Sequence, residues 1–202
     1  PKKNKAKAAI ILFHMAGASR GEYRDIAPVL NEMGYATLAV DQRSGGKFNG
    51  IKNETAARYG GDQSYAKAAP DLAAASVWVR KKLDVERVGV IGSSYSASLV
   101  LVLAGRERSF ADAVMAFSPG EYFPEPRFVT KTLPGITVPV FLTAARSEAG
   151  QWQPFVQKIK VDVTGFVPEG RGRHGATALV SNDREEYWEA LRGFLNKHLP
   201  AQ

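Results

Sequence analysis

The chain has 202 residues, 45% of them hydrophobic and 23% charged, which is a globular balance and excludes disordered and collagen-like classes. It has no cysteine, so disulfide scaffolds, thiolate metal centres and cysteine nucleophiles are excluded together. A chain of this size buries about 70% of its unfolded surface and makes a core without staples. The net charge of +7 raises the question of nucleic acid, but Lys2, Lys3, Lys5 and Lys7 all precede the first apolar run and read as a solubilising arm.

Elements in chain order alternate short apolar runs with longer amphipathic ones, the pattern of a parallel α/β sheet. Ala8 to Phe13 is an unbroken apolar run, suited to a strand covered on both faces. Asp25 to Met33 places Ile26, Val29, Leu30 and Met33 on one helical face, and Tyr35 to Val40 reads as the second strand. The Gly- and Asn-rich stretch from Gln42 to Asp62 reads as one long loop. Ser64 to Lys82 is helical, with Pro70 marking either a kink or a start nearer that residue. A strand from Arg87 to Ile91 precedes a helix, Ala97 to Ala104, that is apolar all round and therefore buried. Asp112 to Phe117 and Val140 to Ala144 are strands separated by a Pro-rich loop, Ser118 to Pro139. A helix from Gln151 to Lys160, a strand from Val161 to Val167, the glycine-rich loop Gly170 to Gly175 and a helix from Asp183 to Leu199 complete the series.

The expected fold is a three-layer α/β sandwich with a mainly parallel, doubly wound sheet of about six strands. The expected organisation is a basic tail, 1–7, and a single domain, 8–202, with no separate cap. No apolar stretch reaches the length of a membrane span, and no signal peptide is visible. The chain opens at Pro1, so a leader removed earlier stays open, and with it the compartment.

Chemistry concentrates at Gly92-Ser93-Ser94-Tyr95-Ser96, where a strand runs almost directly into a helix. This is close to the G-x-S-x-G elbow, in which a sharp turn lifts a serine oxygen above the sheet and the flanking residues must be small. Ser96 stands where the motif ends in glycine. A Ser-rich turn of a nucleotide-binding domain is the plain alternative, although the Walker lysine and the G-x-G-x-x-G pattern are missing. A second motif, His14-Met15-Ala16-Gly17, closes the first strand.

With these two motifs in this order the sequence resembles the α/β-hydrolase superfamily, from Ala8 onward. It looks most like small lidless esterases and the dienelactone-hydrolase-like group, here with serine in place of that group's frequent cysteine. The family's first two strands and its helical cap have no counterpart. The resemblance implies Ser94 as nucleophile and the backbone N–H groups of Ala16 and Tyr95 as oxyanion donors, with Met15 the alternative to Ala16. It implies a base after the last strand, where His174 stands; His14 comes before the serine and reads as a residue that shapes its loop, and His198 as a solvated helix end. For the acid, Glu148 falls at the family's spacing after the Val140 strand, and Glu121 is the rival one strand earlier. Met15 and Tyr122 are expected to touch substrate, with Phe48, Tyr59 and Phe123 as further apolar walls.

The implied activity is hydrolysis of short carboxylic esters through an acyl-enzyme, with no cofactor and no metal. The implied partner is a small ester, with no nucleic acid and no membrane span, and a monomer is favoured. Two other classes stay open: a non-catalytic binding protein on this fold, and a Rossmann-like nucleotide-binding domain.

Overall fold

The computed structural model describes residues 6–201. Lys2, Lys3 and Lys5 of the basic tail lie outside the described residues. Strands β1 (Ala8–Phe13) and β2 (Ala36–Val40) flank helix α1 (Ala27–Glu32). A short hairpin follows, β3 (Lys47–Phe48) and β4 (Ile51–Lys52), and then helices α2 (Glu54–Arg58) and α3 (Ala69–Lys82). Strand β5 (Arg87–Ser93) leads into α4 (Tyr95–Arg106), and β6 (Ala113–Phe117) and β7 (Val140–Thr143) come next. Helix α5 (Ala149–Val156), strand β8 (Val163–Phe166) and helix α6 (Arg184–His198) end the series.

One six-stranded sheet runs in the order β2-β1-β5-β6-β7-β8, and every neighbouring pair is parallel. Alternate residues of β1 face opposite sides: Ala9, Ile11 and Phe13 join α3, α4 and α5 in one core, while Ala8, Ile10 and Leu12 join α1 and α6 in the other. Helices on both faces make this the expected three-layer, doubly wound arrangement. Helix α4 is buried from Tyr95 to Ala104, which accounts for its lack of a polar face. Strand β2 is only half-buried along its length, as an edge strand should be. At Gly89 a side chain would meet Leu199 Cδ2 at 2.5 Å, so glycine lets the end of α6 close over β5.

The segment expected to be one loop, 42–62, is more ordered than that. Asn49 and Gly50 have φ of 47° and 81°, the left-handed pair that a two-residue hairpin turn requires, and they join β3 to β4. Asn53 then caps α2 by accepting the Ala56 N–H at 2.8 Å. Two-residue strands carry no periodicity, so only the Asn-Gly pair announces them. Pro70 sits in the first turn of α3, where its missing N–H costs nothing, and the residues before it form a separate turn, Tyr65–Ala68. No helix among the described residues is long and apolar enough to cross a membrane.

Candidate active site

Strand β5 ends at Ser93 and α4 begins at Tyr95, leaving Ser94 as the single linking residue, at φ 59° and ψ −122°. A non-glycine residue held there costs about 1–3 kcal/mol and persists only where its surroundings enforce it. They do so here. The Ser94 N–H donates to Phe117 O at 2.8 Å, and a Cβ on Gly92 would stand 2.5 Å from Ser96 O and 2.7 Å from Ala97 N. Ser96, in place of the motif's last glycine, donates its hydroxyl to His14 O at 2.6 Å and ties the elbow to the end of β1.

That neighbouring loop is pinned by a buried polar network. His14 is fully buried, and burial pushes its imidazole down to about 4. A neutral ring fits its partners: Nδ1 donates to Met15 O at 2.8 Å, and Nε2 accepts from Asn53 Nδ2 at 3.1 Å. It shapes the loop, as expected, and its ring is occupied. The Met15 N–H is taken by Glu22 Oε2 at 2.7 Å, which removes Met15 as the alternative oxyanion donor. Among the described residues no group accepts the N–H of Ala16 or of Tyr95.

On the other side, His174 Nδ1 lies 2.7 Å from Glu148 Oε1. The second carboxylate oxygen accepts the Ser118 hydroxyl at 2.7 Å, and Ser118 Oγ accepts the Gly175 N–H at 2.9 Å. Ser118 thus clamps the carboxylate and the residue after His174 together. It sits at φ 57° just past β6, as Ser94 does past β5. Glu121 is engaged elsewhere, accepting from Val129 N, Thr130 N and the Thr130 hydroxyl at 2.6–3.0 Å. Among the described residues no protein group bonds Nε2 of His174, and the Ser94 hydroxyl lies near the Tyr122 phenol. Tyr122 donates to Ser118 O at 2.9 Å; burial and the nearby Glu148 charge push the phenol up to about 12.

Beside Tyr122 lies an open cavity of about 440 Å³, walled by Tyr65, Tyr122, Phe123 and Pro124 and edged by Asp62 to Ser64. Tyr65 stacks on Tyr95 with ring centroids 4.5 Å apart, which connects this wall to the elbow. Phe48 and Tyr59, expected as walls, are not part of it. Phe48 belongs to the hairpin, and Tyr59 is exposed with Arg43 over its ring. His198 also departs from expectation: it is largely covered, against the Phe194 ring and 3.3 Å from Asp162. Ser118, Glu22 and Tyr65 were not among the residues expected at the site. A serine directly after a strand was the available signal for Ser118; the others carry none.

Residues 8–163 match the family model described as alpha/beta hydrolase fold. The chain belongs to that family. The alpha/beta-hydrolase architecture is also what solved structures share with it. A dienelactone hydrolase from Anabaena variabilis superposes with a TM-score of 0.71 at 18% identity, covering 97% of this chain and 88% of its own. Est1E from Butyrivibrio proteoclasticus, with ferulic acid bound, gives 0.75 at 17% identity, covering 98% and 91%. The Pyrococcus furiosus esterase PF2001 gives 0.74 at 20% identity, covering 98% and 84%. No curated protein matches the chain in sequence.

Proposed function

We propose that this alpha/beta-hydrolase chain is a serine hydrolase of carboxylic esters, a single domain without a separate cap, acting through an acyl-enzyme. The observation that carries the reading is the His174–Glu148 pair at 2.7 Å, stitched through Ser118 beside a serine held at positive φ on the elbow. Glu148 accepts from Nδ1, so the other ring nitrogen, Nε2, is left as the base. The Ser94 hydroxyl gives its proton to Nε2 as the oxygen attacks the ester carbonyl. Contacts of this kind are commonly loose before substrate arrives. The N–H groups of Tyr95 and Ala16 receive the oxyanion, each such donor contributing about 3 kcal/mol in the transition state. His174 then protonates the leaving alcohol, and water repeats the sequence to free the acid.

Substrate size follows from the open cavity walled by Tyr65, Tyr122 and Phe123, which suits a short acyl or aryl group. Relatives of this architecture that are named esterase, and one holding ferulic acid, support the same class. The test is labelling by a fluorophosphonate, with the adduct located by peptide mass, followed by a series of p-nitrophenyl esters of rising acyl length. Labelling confined to Ser94 and rates falling with chain length are expected. An unlabelled protein, or one that purifies with bound nucleotide, overturns the reading.

A further inference from the structure

Glu22 is 2% exposed and has no place in the chemistry above, yet it joins two halves of the site. It lies in a short turn, Arg20–Tyr23, whose start is capped by Ser19 Oγ accepting the Gly21 N–H at 3.1 Å. One carboxylate oxygen accepts the Met15 N–H at 2.7 Å. The other accepts the Ser93 hydroxyl at 2.6 Å, and Ser93 Oγ in turn accepts the Ala176 N–H at 2.8 Å. The path therefore runs from the loop after β1, under the elbow, to the second residue beyond His174. Gly175 lies against Ser93 Oγ so closely that no Cβ would fit, which leaves this junction little slack.

Peptide geometry turns these anchors into an aim. Met15 O is held by His14 Nδ1 at 2.8 Å and by the Ala18 N–H at 3.2 Å. In a planar trans peptide the following N–H, that of Ala16, points the opposite way. Holding Met15 by both its N–H and its C=O therefore fixes where the Ala16 donor faces. Once ionised, as it is above about pH 7, the Glu22 carboxylate only accepts and so sets the direction of both donors that meet it.

We propose that Glu22 is a positioning residue for ester hydrolysis, keeping the Ala16 oxyanion donor and the His174 base in register with Ser94 through Met15 and Ser93. This rests on the hydrolase reading. Glu22→Gln keeps the size and an acceptor for Met15 but sets an N–H donor against Ser93, which already receives Ala176. With p-nitrophenyl acetate, kcat per fluorophosphonate-titrated site should fall by about 10- to 100-fold with KM within about twofold, as for displaced catalytic groups. The Ki of a trifluoromethyl ketone, which mimics the tetrahedral intermediate, should rise by a matching factor. Ser93→Ala breaks the same path with less burden on folding and should move both quantities in the same direction, by about tenfold. If both variants turn over at the parental rate per titrated site while only stability or the titrated fraction drops, Glu22 is structural and the proposal is overturned. If the parent itself is not labelled, the hydrolase reading fails and takes this assignment with it.

Discussion

Ser94 and His174 are held by different kinds of structure. Ser94 is 8% exposed, between a strand and a helix whose neighbouring residues are sealed in the core, and its position is set by close packing. The His174 side chain is 41% exposed, at the end of an irregular segment that leads into the buried turn Gly175–Val180. That segment is suspended by polar bonds: Glu148 to the ring, Ser118 to the Gly175 N–H, Asp183 to the Gly172 N–H, and Arg146 N to Arg171 O. Packing therefore weighs more on the Ser94 side and hydrogen bonding more on the His174 side. A substitution that changes shape should cost stability on the Ser94 side, and one that swaps an acceptor for a donor should cost rate on the His174 side.

The largest expected effect removes the proposed nucleophile while sparing its packing. Ser94→Ala should lower ester turnover by about 10⁴-fold or more with the melting temperature nearly unchanged; a variant keeping a few per cent of the activity would break the scheme. Glu148→Gln comes next, expected at about 10³-fold in kcat because the ring loses its anionic partner, with little change in urea unfolding. Glu121→Gln is its control and should stay within about twofold.

Glu22 sharpens the contrast, because it is a polar group on the packed side. Burial pushes its carboxyl up from 4.5 to about 7, so the folded state binds the proton more tightly than the unfolded chain. That contribution to stability is complete below pH 4.5 and lost as pH rises through about 7. The parent should thus weaken by about 3 kcal/mol across this window relative to Glu22→Gln, read from urea unfolding at several pH values. Equal slopes for the two proteins would mean that Glu22 is not titrating there. Gly92→Ala should cost about 2 kcal/mol, since its Cβ meets Ser96 O at 2.5 Å. A smaller loss is expected at Ser118→Ala, about tenfold in kcat, because Glu148 and Gly175 each lose one bond while the His174–Glu148 contact survives.

The six-stranded parallel sheet was legible because its buried strands are continuous apolar runs, and Ala8 to Phe13 and Val140 to Thr143 could hardly be anything else; the order in which the strands pair was not. The elbow was legible because close approach of strand and helix demands small residues, and Gly92 to Ser96 supplies them. Spacing favoured Glu148 over Glu121 without excluding the latter: both follow strands that end at one edge of the sheet, and only the folded loops decide which carboxylate meets the ring. Glu22 was invisible for another reason. It stands in an ordinary charged stretch, Arg20 to Asp25, and its burial arises from contacts with residues more than seventy positions away. The hairpin was announced by Asn49-Gly50 alone, too short a signal to show within a polar segment.

The all-parallel sheet has a consequence for how activity is acquired. Every pairing in it joins segments separated by a crossover, and the central contact of β1 with β5 spans nearly eighty residues. Such non-local topologies fold slowly, because chain entropy is spent before the contacts form. The candidate site draws on segments near residues 15, 94, 118, 148 and 174, so it is complete only once these distant segments have packed together. On dilution from urea, helical circular dichroism should return first and ester turnover last, which makes catalysis the most stringent reporter of the native state.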